Sequence, residues 1–452
     1  MSTYKLTYFP VKGLGEPIRF LLSYAGISFE DERFDRDDWP KIKPTTPFGQ
    51  VPVLDVDGKK VAQSVAISRY LAKKSGLAGK DDWEALEIDS IVDTIHDVRA
   101  RLAAFHYEEN EEIKAAKRKI ADEVVPYYLE RLDAQVKNNG GYFVGGALSW
   151  ADLSFVALLD YLNFMNGSDL IEKYDNLKQL KEKVVNLPAI KSWLDKRPHT
   201  DFWGNKIHSI SVAIGKSRYI KLVVSNINAV ICERPSRWLH YNLTHIFKMS
   251  NYKLVYFNIL GLAEPIRFLL HQSGIKFEDK RIDTEEWPKI KSGMPLGQVP
   301  ILEIDGKVYY QSKAISRLIA KRNNLYGSND EEAFLVDATV DTIDDLKQPI
   351  IQHYWEKDPA FKAKLKTNVD TKVPLLLNKL EEQVKKNKGY FVNGKLTWAD
   401  LFYAAIEEYL TDLLGYDLNK DHPELKKLSE KVRSLPNIKT YLKNRPKPMV
   451  IP

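Results

Sequence analysis

The strongest constraint on the fold is that the sequence repeats itself after 248 residues. The stretch PFGQVPVLDVDG at residues 47–58 returns as PLGQVPILEIDG at residues 295–306. Residues 4–77 and 252–325 share about 44 identities in 74 aligned positions, which is far above chance. A repeat of this length corresponds to whole domains and not to a solenoid unit. The chain is therefore predicted to contain two similarly folded copies.

The repeat leaves one segment unmatched. The copies span residues 1–204 and 249–452, so residues 205–248 have no counterpart. This segment holds seven Lys and Arg against one Glu, which accounts for the net charge of +6 of the whole chain. The overall charge is thus no argument for nucleic-acid binding. A basic linker is the simplest interpretation, and a functional basic arm or a gene-model artefact stays open because Met249-Ser250 repeats Met1-Ser2.

Cysteine usage and the first residues bear on the cellular setting. The single cysteine, Cys232, cannot form an internal disulfide, so any sulfur chemistry must come from a bound ligand. The opening MSTYKLTYFP lacks the charged start and apolar core of a signal peptide, and no apolar run has membrane-spanning length. We expect a cytoplasmic protein without nucleic-acid or membrane partners.

The first third of each copy has the pattern of a small α/β domain. YKLTYF at residues 4–9 alternates like a strand, and GEPIRFLLSYAG at 15–26 is typical of a helix closed by glycine. FEDERF predicts a second strand, and VPVLDVDGKKVA predicts a hairpin that turns at Asp57-Gly58. SVAISRYLAKK predicts a helix capped by Ser64. The predicted order is βαβ followed by ββα.

The rest of each copy is predicted to be helical. Apolar residues recur with helical spacing from Trp83 onward, and Ser149 with Asp152 forms a capping-box pattern before LSFVALLDYL. The predicted fold class is α/β plus all-α, duplicated. The predicted domains are 1–78 and 79–204 in the first copy, a linker at 205–248, and 249–326 and 327–452 in the second copy.

Five motifs in a fixed order suggest a family. They are YKLTYF, GEPIRFLL, DWPKIKPTTPFGQVPVLDVDG, QSVAISRYLAKK and SWADLSF. In this combination the sequence resembles the cytosolic glutathione transferases, most closely the sigma class found in invertebrates and in prostaglandin D synthase. The resemblance covers both copies and omits only the linker. It implies a thioredoxin-like N-terminal domain, a helical C-terminal domain, dimers, and a detoxification enzyme that conjugates reduced glutathione to electrophilic hydrophobic small molecules. Glutathione would be a co-substrate, with no tightly bound cofactor.

The resemblance also explains the repeated proline. In this family the proline at Pro52 is cis, which leaves the backbone of Val51 free to pair with the glutathione peptide like a short added strand. Gln63 and Ser64 begin a helix, whose N–H groups and dipole favour an anion, and the resemblance places the γ-glutamyl carboxylate of glutathione there. Ser64 could also be a plain helix cap.

Further contacts follow from the same resemblance. Trp39 and Lys43 look like the pair that holds the glycyl end of glutathione, and Asp97 and Asp345 look like the acid that reaches across a dimer to the partner's glutathione. The implied contacts are Tyr8, Trp39, Lys43, Gly49, Gln50, Val51, Pro52, Gln63, Ser64 and Asp97 in the first copy, and Tyr256, Trp287, Lys291, Gly297, Gln298, Val299, Pro300, Gln311, Ser312 and Asp345 in the second.

Catalysis by such an enzyme requires a glutathione thiolate. A free thiol has a pKa of about 8.5 and is mostly protonated at neutral pH. Tyr8 matches the family tyrosine that donates its O–H to the sulfur, and Tyr256 is its counterpart. Tyr4 and Tyr252 remain alternatives by sequence.

The two copies depart from the family pattern at two positions. The first copy has basic Lys12 near the catalytic tyrosine, whereas the second has Leu260, so we expect the second site to have less positive potential and to be slower. Leu14 and Leu262 stand where vertebrate prostaglandin D synthases carry arginine, which weakens a prostaglandin isomerase interpretation.

Three questions stay open at this stage. A 44-residue connector would let the copies pair within one chain, so an intrachain pseudo-dimer and a homodimer are both compatible with the sequence. DTIDD at 341–345 keeps the spacing of the divalent-ion carboxylates of prostaglandin D synthase, whereas the first copy has His96 there; we expect solvated acids and no metal. Alternative functions are sequestration of hydrophobic compounds or haem, a glutathione-dependent prostaglandin isomerase, and a structural protein.

Overall fold

The computed structural model describes residues 2–198 and 250–449. The linker predicted at 205–248 lies outside the described residues. Within the described ranges, both copies have the predicted fold class, a mixed α/β part followed by a helical part. No helix in these two ranges is both long and apolar enough to cross a membrane.

Each copy begins with a four-stranded mixed sheet. The strand order is β2-β1-β3-β4 in the first copy and β6-β5-β7-β8 in the second, with the outer pair β1 and β2, or β5 and β6, parallel and the other pairs antiparallel. The first copy's strands are β1 Tyr4–Tyr8, β2 Glu30–Arg33, β3 Val53–Val56 and β4 Lys59–Ala62. The second copy's strands are β5 Tyr252–Phe257, β6 Phe277–Ile282, β7 Ile301–Ile304 and β8 Lys307–Tyr310.

Eight α-helices of matching order are described in each copy. In the first they are α1 Glu16–Tyr24, α2 Trp39–Ile42, α3 Ser64–Lys74, α4 Asp82–His106, α5 Glu111–Asn138, α6 Trp150–Asn166, α7 Asp175–Val185 and α8 Pro188–Lys196. In the second they are α9 Glu264–Gln272, α10 Trp287–Ile290, α11 Ser312–Arg322, α12 Asp330–Trp355, α13 Pro359–Lys386, α14 Trp398–Leu414, α15 Pro423–Arg433 and α16 Pro436–Asn444.

Local sequence signals account for most of these elements. The hairpin turn at Asp57 and Gly58 is confirmed, with φ of +52° and +85°, because a two-residue turn of this type needs positive φ at both positions. The capping box of Ser149 and Asp152 at the start of α6 is also confirmed. One prediction is wrong: Ser64 is the first residue of α3 and not its cap.

The residue before α3 is Gln63, which takes a φ of +80° and makes no side-chain capping hydrogen bond. Its side chain is engaged elsewhere, as described below, and so cannot close the first turn. Positive φ is uncommon outside glycine, and the equivalent Gln311 repeats it with a φ of +69°. Both copies therefore aim this glutamine away from its own helix.

The two copies pack against each other within the same compact unit. Helix α3 of the first copy contacts α12 of the second, and α11 contacts α4. Leu86 belongs to the apolar core of the second copy, while Phe334 and Ala338 belong to that of the first. The helices α4 and α12 thus carry residues of one copy to the sheet domain of the other.

Candidate functional site

The two tyrosines singled out from the sequence end the first strand of each copy's sheet or lie next to its end. The backbone N–H of Leu14 donates to Tyr8 Oη at 3.1 Å, and that of Leu262 donates to Tyr256 Oη at 3.3 Å. Gly13 makes this approach possible, because a Cβ added there would lie 2.8 Å from Tyr8 Oη. With a lone pair occupied by the backbone, the hydroxyl hydrogen is left to donate to a ligand.

Both hydroxyls keep their proton at neutral pH. Burial raises the pKa of Tyr8 to about 12, despite opposing contributions from the Leu14 N–H and from Arg19 and Arg99. Burial likewise raises the pKa of Tyr256 to about 12. A phenol with this pKa is a hydrogen-bond donor across the physiological range, and it is not a general base.

The alternative tyrosines lie at the other end of the same strands. Tyr4 pairs with Val56 in the sheet and interacts with Tyr70 on α3. Tyr252 pairs with Ile304 in the equivalent position. Successive strand residues rise by about 3.3 Å, so about 13 Å of strand separates Tyr4 from Tyr8. The alternatives are therefore remote from the glycine turn that holds Tyr8.

The repeated prolines have the geometry expected from the resemblance. The Val51-Pro52 and Val299-Pro300 peptide bonds are both cis. Strand β3 begins at the following residue, Val53, and β7 begins at Ile301. The backbones of Val51 and Val299 therefore lie just before β3 and β7, outside the hydrogen-bonded pairs of the sheet.

Most of the predicted contacts of the second copy surround one cavity of about 840 Å³. Its lining includes Trp287, Lys291, Gly297, Gln298, Val299, Pro300, Gln311 and Ser312, together with Asp97 from the first copy. Leu262, which bonds to Tyr256, lines the same cavity. The structure thus brings the candidate anion-binding and peptide-binding residues of the second copy to one cavity. Tyr256 is not among the residues that line it and is connected to it through Leu262.

The two acids predicted to act across a dimer do reach the opposite copy. Asp345 Oδ2 accepts hydrogen bonds from Gln50 Nε2 at 2.9 Å and from Gln63 Nε2 at 3.1 Å. Asp97 Oδ2 accepts from Gln311 Nε2 at 2.9 Å. Burial raises the pKa of the Asp97 carboxyl. Each of these acids therefore hydrogen-bonds to the glutamine that precedes the helix of the opposite copy, Gln63 or Gln311.

The tryptophan and lysine pairs flank these residues. Trp39 packs on Phe9 and Phe34, with ring centroids 5.6 and 5.9 Å away. Lys43 is exposed, and its Cε would lie 3.4 Å from a Cβ added at Gly49. The aliphatic part of this lysine thus runs alongside the glycine that precedes Gln50 and Val51.

The second copy repeats that arrangement. Trp287 packs on Phe257 with ring centroids 5.3 Å apart. Lys291 Cε would lie 3.6 Å from a Cβ added at Gly297. A cationic head group therefore stands beside the Gly-Gln-Val-Pro turn in both copies. Ser64 and Ser312 are the first residues of their helices, next to Gln63 and Gln311.

Sequence reasoning missed a wall of the second site that comes from the first copy. Arg101, Tyr127 and Tyr128 line its cavity, and Gln298 Nε2 donates to Tyr128 Oη at 2.6 Å. The equivalent positions in the second copy are Pro349, Leu375 and Leu376. These differences between aligned copies were visible in the sequence, but their place at the opposite site required the fold.

The predicted role of Lys12 is not supported by its contacts. Lys12 Nζ lies 2.6 Å from Asp160 Oδ2, so a carboxylate neutralises its charge. Two cations lower the pKa of Tyr8, Arg19 and Arg99 on α4, and Arg19 has an equivalent arginine in the second copy, Arg267. Arg99 is thus the cation that distinguishes the two sites. Its counterpart, Lys347, forms an ion pair with Asp344 instead. The first site does have an additional positive charge, but from a different residue than expected.

The acidic stretch at 341–345 is engaged by a lysine. Lys313 Nζ lies 3.2 Å from Asp341 Oδ1 and 3.3 Å from Asp344 Oδ2. Lys347 pairs with Asp344 as well. Across the described ranges, no three His, Cys, Asp or Glu side chains are grouped to hold a metal ion.

Comparison with known proteins agrees with this architecture. The family model for the glutathione S-transferase N-terminal domain matches residues 4–73 and 252–321, and the model for the C-terminal domain matches residues 96–197 and 344–445. A glutathione S-transferase from Anopheles gambiae is 49% identical over 202 residues, which are 44% of this chain and 100% of that protein. Glutathione S-transferase S1 from Drosophila melanogaster is 48% identical over 200 residues, 44% of this chain and 80% of that protein. Hematopoietic prostaglandin D synthase from Gallus gallus is 44% identical over 206 residues, 44% of this chain and 99% of that protein.

Proposed function

The chain belongs to the glutathione S-transferase family, and from this premise we propose that each copy conjugates reduced glutathione to electrophilic hydrophobic small molecules. The observation that carries the proposal is the Tyr8 hydroxyl, which is buried, protonated and supported by the Leu14 N–H. Tyr256 repeats the arrangement with Leu262. Two copies of one donor geometry imply two catalytic sites.

Glutathione would bind by its peptide backbone, its carboxylates and its amino group. The backbone of Val51 pairs with the cysteinyl unit, and the N-terminus of α3 at Ser64 receives the γ-glutamyl carboxylate. Asp345 of the second copy receives the glutathione amino group. Trp39 and Lys43 hold the glycyl carboxylate. In the second site Val299, Ser312, Asp97, Trp287 and Lys291 have the same roles.

The bound thiol then loses its proton to solvent, and the Tyr8 O–H stabilises the resulting thiolate by a hydrogen bond. The sulfur lone pair attacks the electrophilic carbon of the acceptor, a new S–C bond forms, and any leaving group departs with its bonding electrons. The tyrosine remains protonated throughout. Its contribution is electrostatic, since its donor atom is fixed in place before the charge develops.

Substitution of the tyrosines tests this assignment. A hydrogen bond to a charged group contributes about 1.5 to 3 kcal/mol, so Tyr8→Phe or Tyr256→Phe should slow its own site about ten- to hundredfold. With a chromogenic aryl halide, each single variant should lose part of the total rate and the double variant nearly all of it. Tyr4→Phe is the matched control and should retain the wild-type rate. An unchanged rate in the double variant would refute the assignment.

We further propose that the protein is a cytoplasmic, sigma-class detoxification enzyme whose two copies pair within one chain. The cross-copy hydrogen bonds of Asp97 and Asp345 support intrachain pairing. Because both copies belong to one chain, their pairing is intramolecular, which favours pairing within the chain over pairing between chains. Sedimentation of the intact protein should therefore give the mass of one chain, and twice that mass would contradict the proposal.

Glutathione-dependent prostaglandin isomerisation is a second candidate. Its support is the 44% identity to a relative named hematopoietic prostaglandin D synthase. Against it stands the apolar Leu14, where vertebrate prostaglandin D synthases carry arginine. Incubation with a prostaglandin endoperoxide separates the two functions, because an isomerase forms product without consuming glutathione and a transferase consumes it.

A further inference from the structure

The interface between the two copies is not symmetric in its chemistry. Positions 248 residues apart occupy equivalent places, so two identical copies would make every contact twice. In this chain, several contacts between the copies have a different chemistry at the equivalent position 248 residues away. Four of these differences indicate which type of copy each surface binds.

The first difference is an aromatic stack. Tyr70 of α3 stacks on Phe334 of α12, with ring centroids 4.6 Å apart and planes 11° apart. The equivalent residues Leu318 and Leu86 are both aliphatic and buried in the core of the second copy. Pairing two first copies would place Tyr70 opposite Leu86, and pairing two second copies would place Leu318 opposite Phe334. Neither combination retains the ring stack.

The second difference lies at the edge of the interface. Trp83 stacks on Tyr309 at 5.2 Å, and the Arg322 guanidinium lies 3.7 Å from the Trp83 ring centroid. At the equivalent place the tryptophan is replaced by Glu331, which accepts a hydrogen bond from Lys59 Nζ at 2.7 Å. Both edges hold a lysine–glutamate pair between the copies, Lys59 with Glu331 at one and Lys307 with Glu87 at the other. The aromatic stack is present at one edge, and it forms when a first copy supplies Trp83 and a second copy supplies Tyr309.

The third difference is a buried charge. Lys313 pairs with two acids of its own copy and also faces Asp93 of the first copy. Burial raises the pKa of Asp93 to about 6, and the Lys313 charge opposes that rise. Asp93 is 6% exposed, and its Oδ2 has no hydrogen-bond partner among the described residues. The equivalent of Lys313 is Val65. Two first copies would therefore bury two Asp93 carboxyls without the Lys313 ammonium, leaving only arginine charges near them, which is less favourable.

The fourth difference is polar. Tyr128 accepts from Gln298 across the interface, whereas the equivalent Leu376 has no polar atom to offer Gln50. Lys364 of the second copy lies 3.2 Å from Glu109 of the first, at a position where the first copy has an alanine. The Lys364–Glu109 contact requires one copy of each type. The Gln298–Tyr128 bond requires only a first copy to supply the tyrosine, because Gln50 is the equivalent of Gln298, so pairing two second copies loses it.

We propose that the two copies are complementary and not interchangeable, so that the surface of each binds a copy of the other type and disfavours its own type. The partner that fits the first copy is a second copy, in the same chain or in a neighbouring chain. Each site is then always completed by the unlike copy: the first by Asp345, the second by Asp97 and Tyr128. This inference goes beyond the proposed function, because it holds whether or not either site turns over substrate.

Pairing after cleavage tests the proposal. The full chain is folded and purified with a protease site inserted into 205–248, and it is then cut. The cut protein is mixed with an isotope-labelled cut preparation, and native mass spectrometry measures the fractions of like and unlike pairs. Random exchange would place about half of the molecules in unlike pairs, whereas a preference of 1.4 kcal/mol or more per pair would raise the unlike to like ratio about tenfold. We expect unlike pairs to exceed nine-tenths. A statistical mixture would overturn the proposal.

Exchange variants identify the residues responsible. Phe334→Leu with Lys313→Val gives the second copy the first copy's residues at two interface positions, and it should raise the fraction of like pairs several-fold. Trp83→Glu makes the reverse exchange at the edge, where misfolding is a smaller risk, and should act in the same direction. Tyr416→Ser is the matched control, an exchange to the first copy's residue at a 42% exposed position, and should leave pairing unchanged. If both interface variants pair like the control, the proposal is wrong.

Discussion

Arg99 gives the two candidate glutathione sites different electrostatic surroundings. Its charge lowers the pKa of Tyr8, and its Nε is buried without a hydrogen-bond partner in the described part of the chain. In the second copy the equivalent Lys347 is neutralised by Asp344. The same positive charge that favours deprotonation of Tyr8 would favour a glutathione thiolate beside it. The first site is therefore expected to hold the more acidic thiol.

Removing this charge should shift the pH dependence of the first site. In a Tyr256→Phe background, Arg99→Leu should raise the apparent pKa of the pH–rate profile by about half a unit to one unit, since a unit charge several ångströms away contributes on the order of 1 kcal/mol at intermediate dielectric. Activity would fall at neutral pH and recover at alkaline pH. Arg99→Lys keeps the charge and should keep the profile. An equal shift in both variants would show that geometry, and not charge, is responsible.

For individual residues, the sequence predicts roles that depend on neighbours within a few positions, and it misses roles that depend on partners far away in the chain. Tyr8 could be placed because it ends a strand just before a glycine turn, and those signals lie within a few residues. The family pattern predicts a role for Lys12 near the sulfur. The sequence could not show that Asp160 neutralises this lysine, because the two residues are 148 positions apart in the chain. Tyr128 could not be placed at all, since Gln298 is 170 residues away.

Among the elements, helix α6 depends on one buried carboxylate. Asp152 Oδ2 accepts from the Ser149 backbone N–H at 2.7 Å and from Ser149 Oγ at 2.8 Å, while Oδ1 accepts from the Phe143 N–H at 2.9 Å. The helix begins at Trp150 in the apolar core, so none of these donors can turn to water instead. One side chain thus caps the helix and fixes the preceding loop.

Asp152→Ala should be strongly destabilising. The loss of a helix cap typically costs about 1 kcal/mol, and a buried donor left unsatisfied costs about 1 to 3 kcal/mol more, so we expect about 2 to 4 kcal/mol in urea unfolding. Glu111→Ala, in the first turn of α5 and 83% exposed, is the control and should cost only a few tenths of a kcal/mol. Equal losses in the two variants would contradict the capping role.

Element order was the most predictable part of the structure. The alternation in YKLTYF, the Asp-Gly turn and the Ser-x-x-Asp box each require only their own few residues, and all three appear where expected. The start of α3 was misassigned because Gln63 takes a positive φ and turns toward Asp345 of the other copy. A contact with a residue 282 positions away overrode the local helix signal.

For the whole molecule, a buried quartet of charges joins the two copies at equivalent positions. Arg69 lies 2.9 Å from Asp89 and 3.3 Å from Asp337, and Arg317 lies 2.8 Å from Asp337 and 3.1 Å from Asp89. All four side chains are almost fully buried. Burial alone would raise the pKa of Asp337, but the two guanidinium groups and the Tyr326 hydroxyl lower it to about 2.

The lowered pKa of Asp337 means that the protein loses stability toward acid pH. A carboxyl whose pKa is lower in the folded state stabilises the fold above its unfolded pKa of about 3.9, and this contribution disappears as the pH falls from about 4 to 2. Asp337→Asn removes one negative charge and leaves Arg69 and Arg317 facing only Asp89. Breaking a buried ion pair from one side costs about 3 to 5 kcal/mol, so the variant should be destabilised by about that amount at pH 7.

The difference in unfolding free energy between wild type and Asp337→Asn should become smaller toward acid pH, because protonation of Asp337 in the wild type removes the same charge. Urea unfolding at pH 7 and at about pH 2 measures both effects, and Asp175→Asn, an exposed acid at the start of α7, controls for the lost surface charge. A loss independent of pH would indicate packing and not charge. Since two of the four groups come from each copy, the quartet couples folding of the halves. Cleavage within 205–248 should therefore lower the unfolding midpoint and make it depend on protein concentration, because the pairing is then between two separate chains.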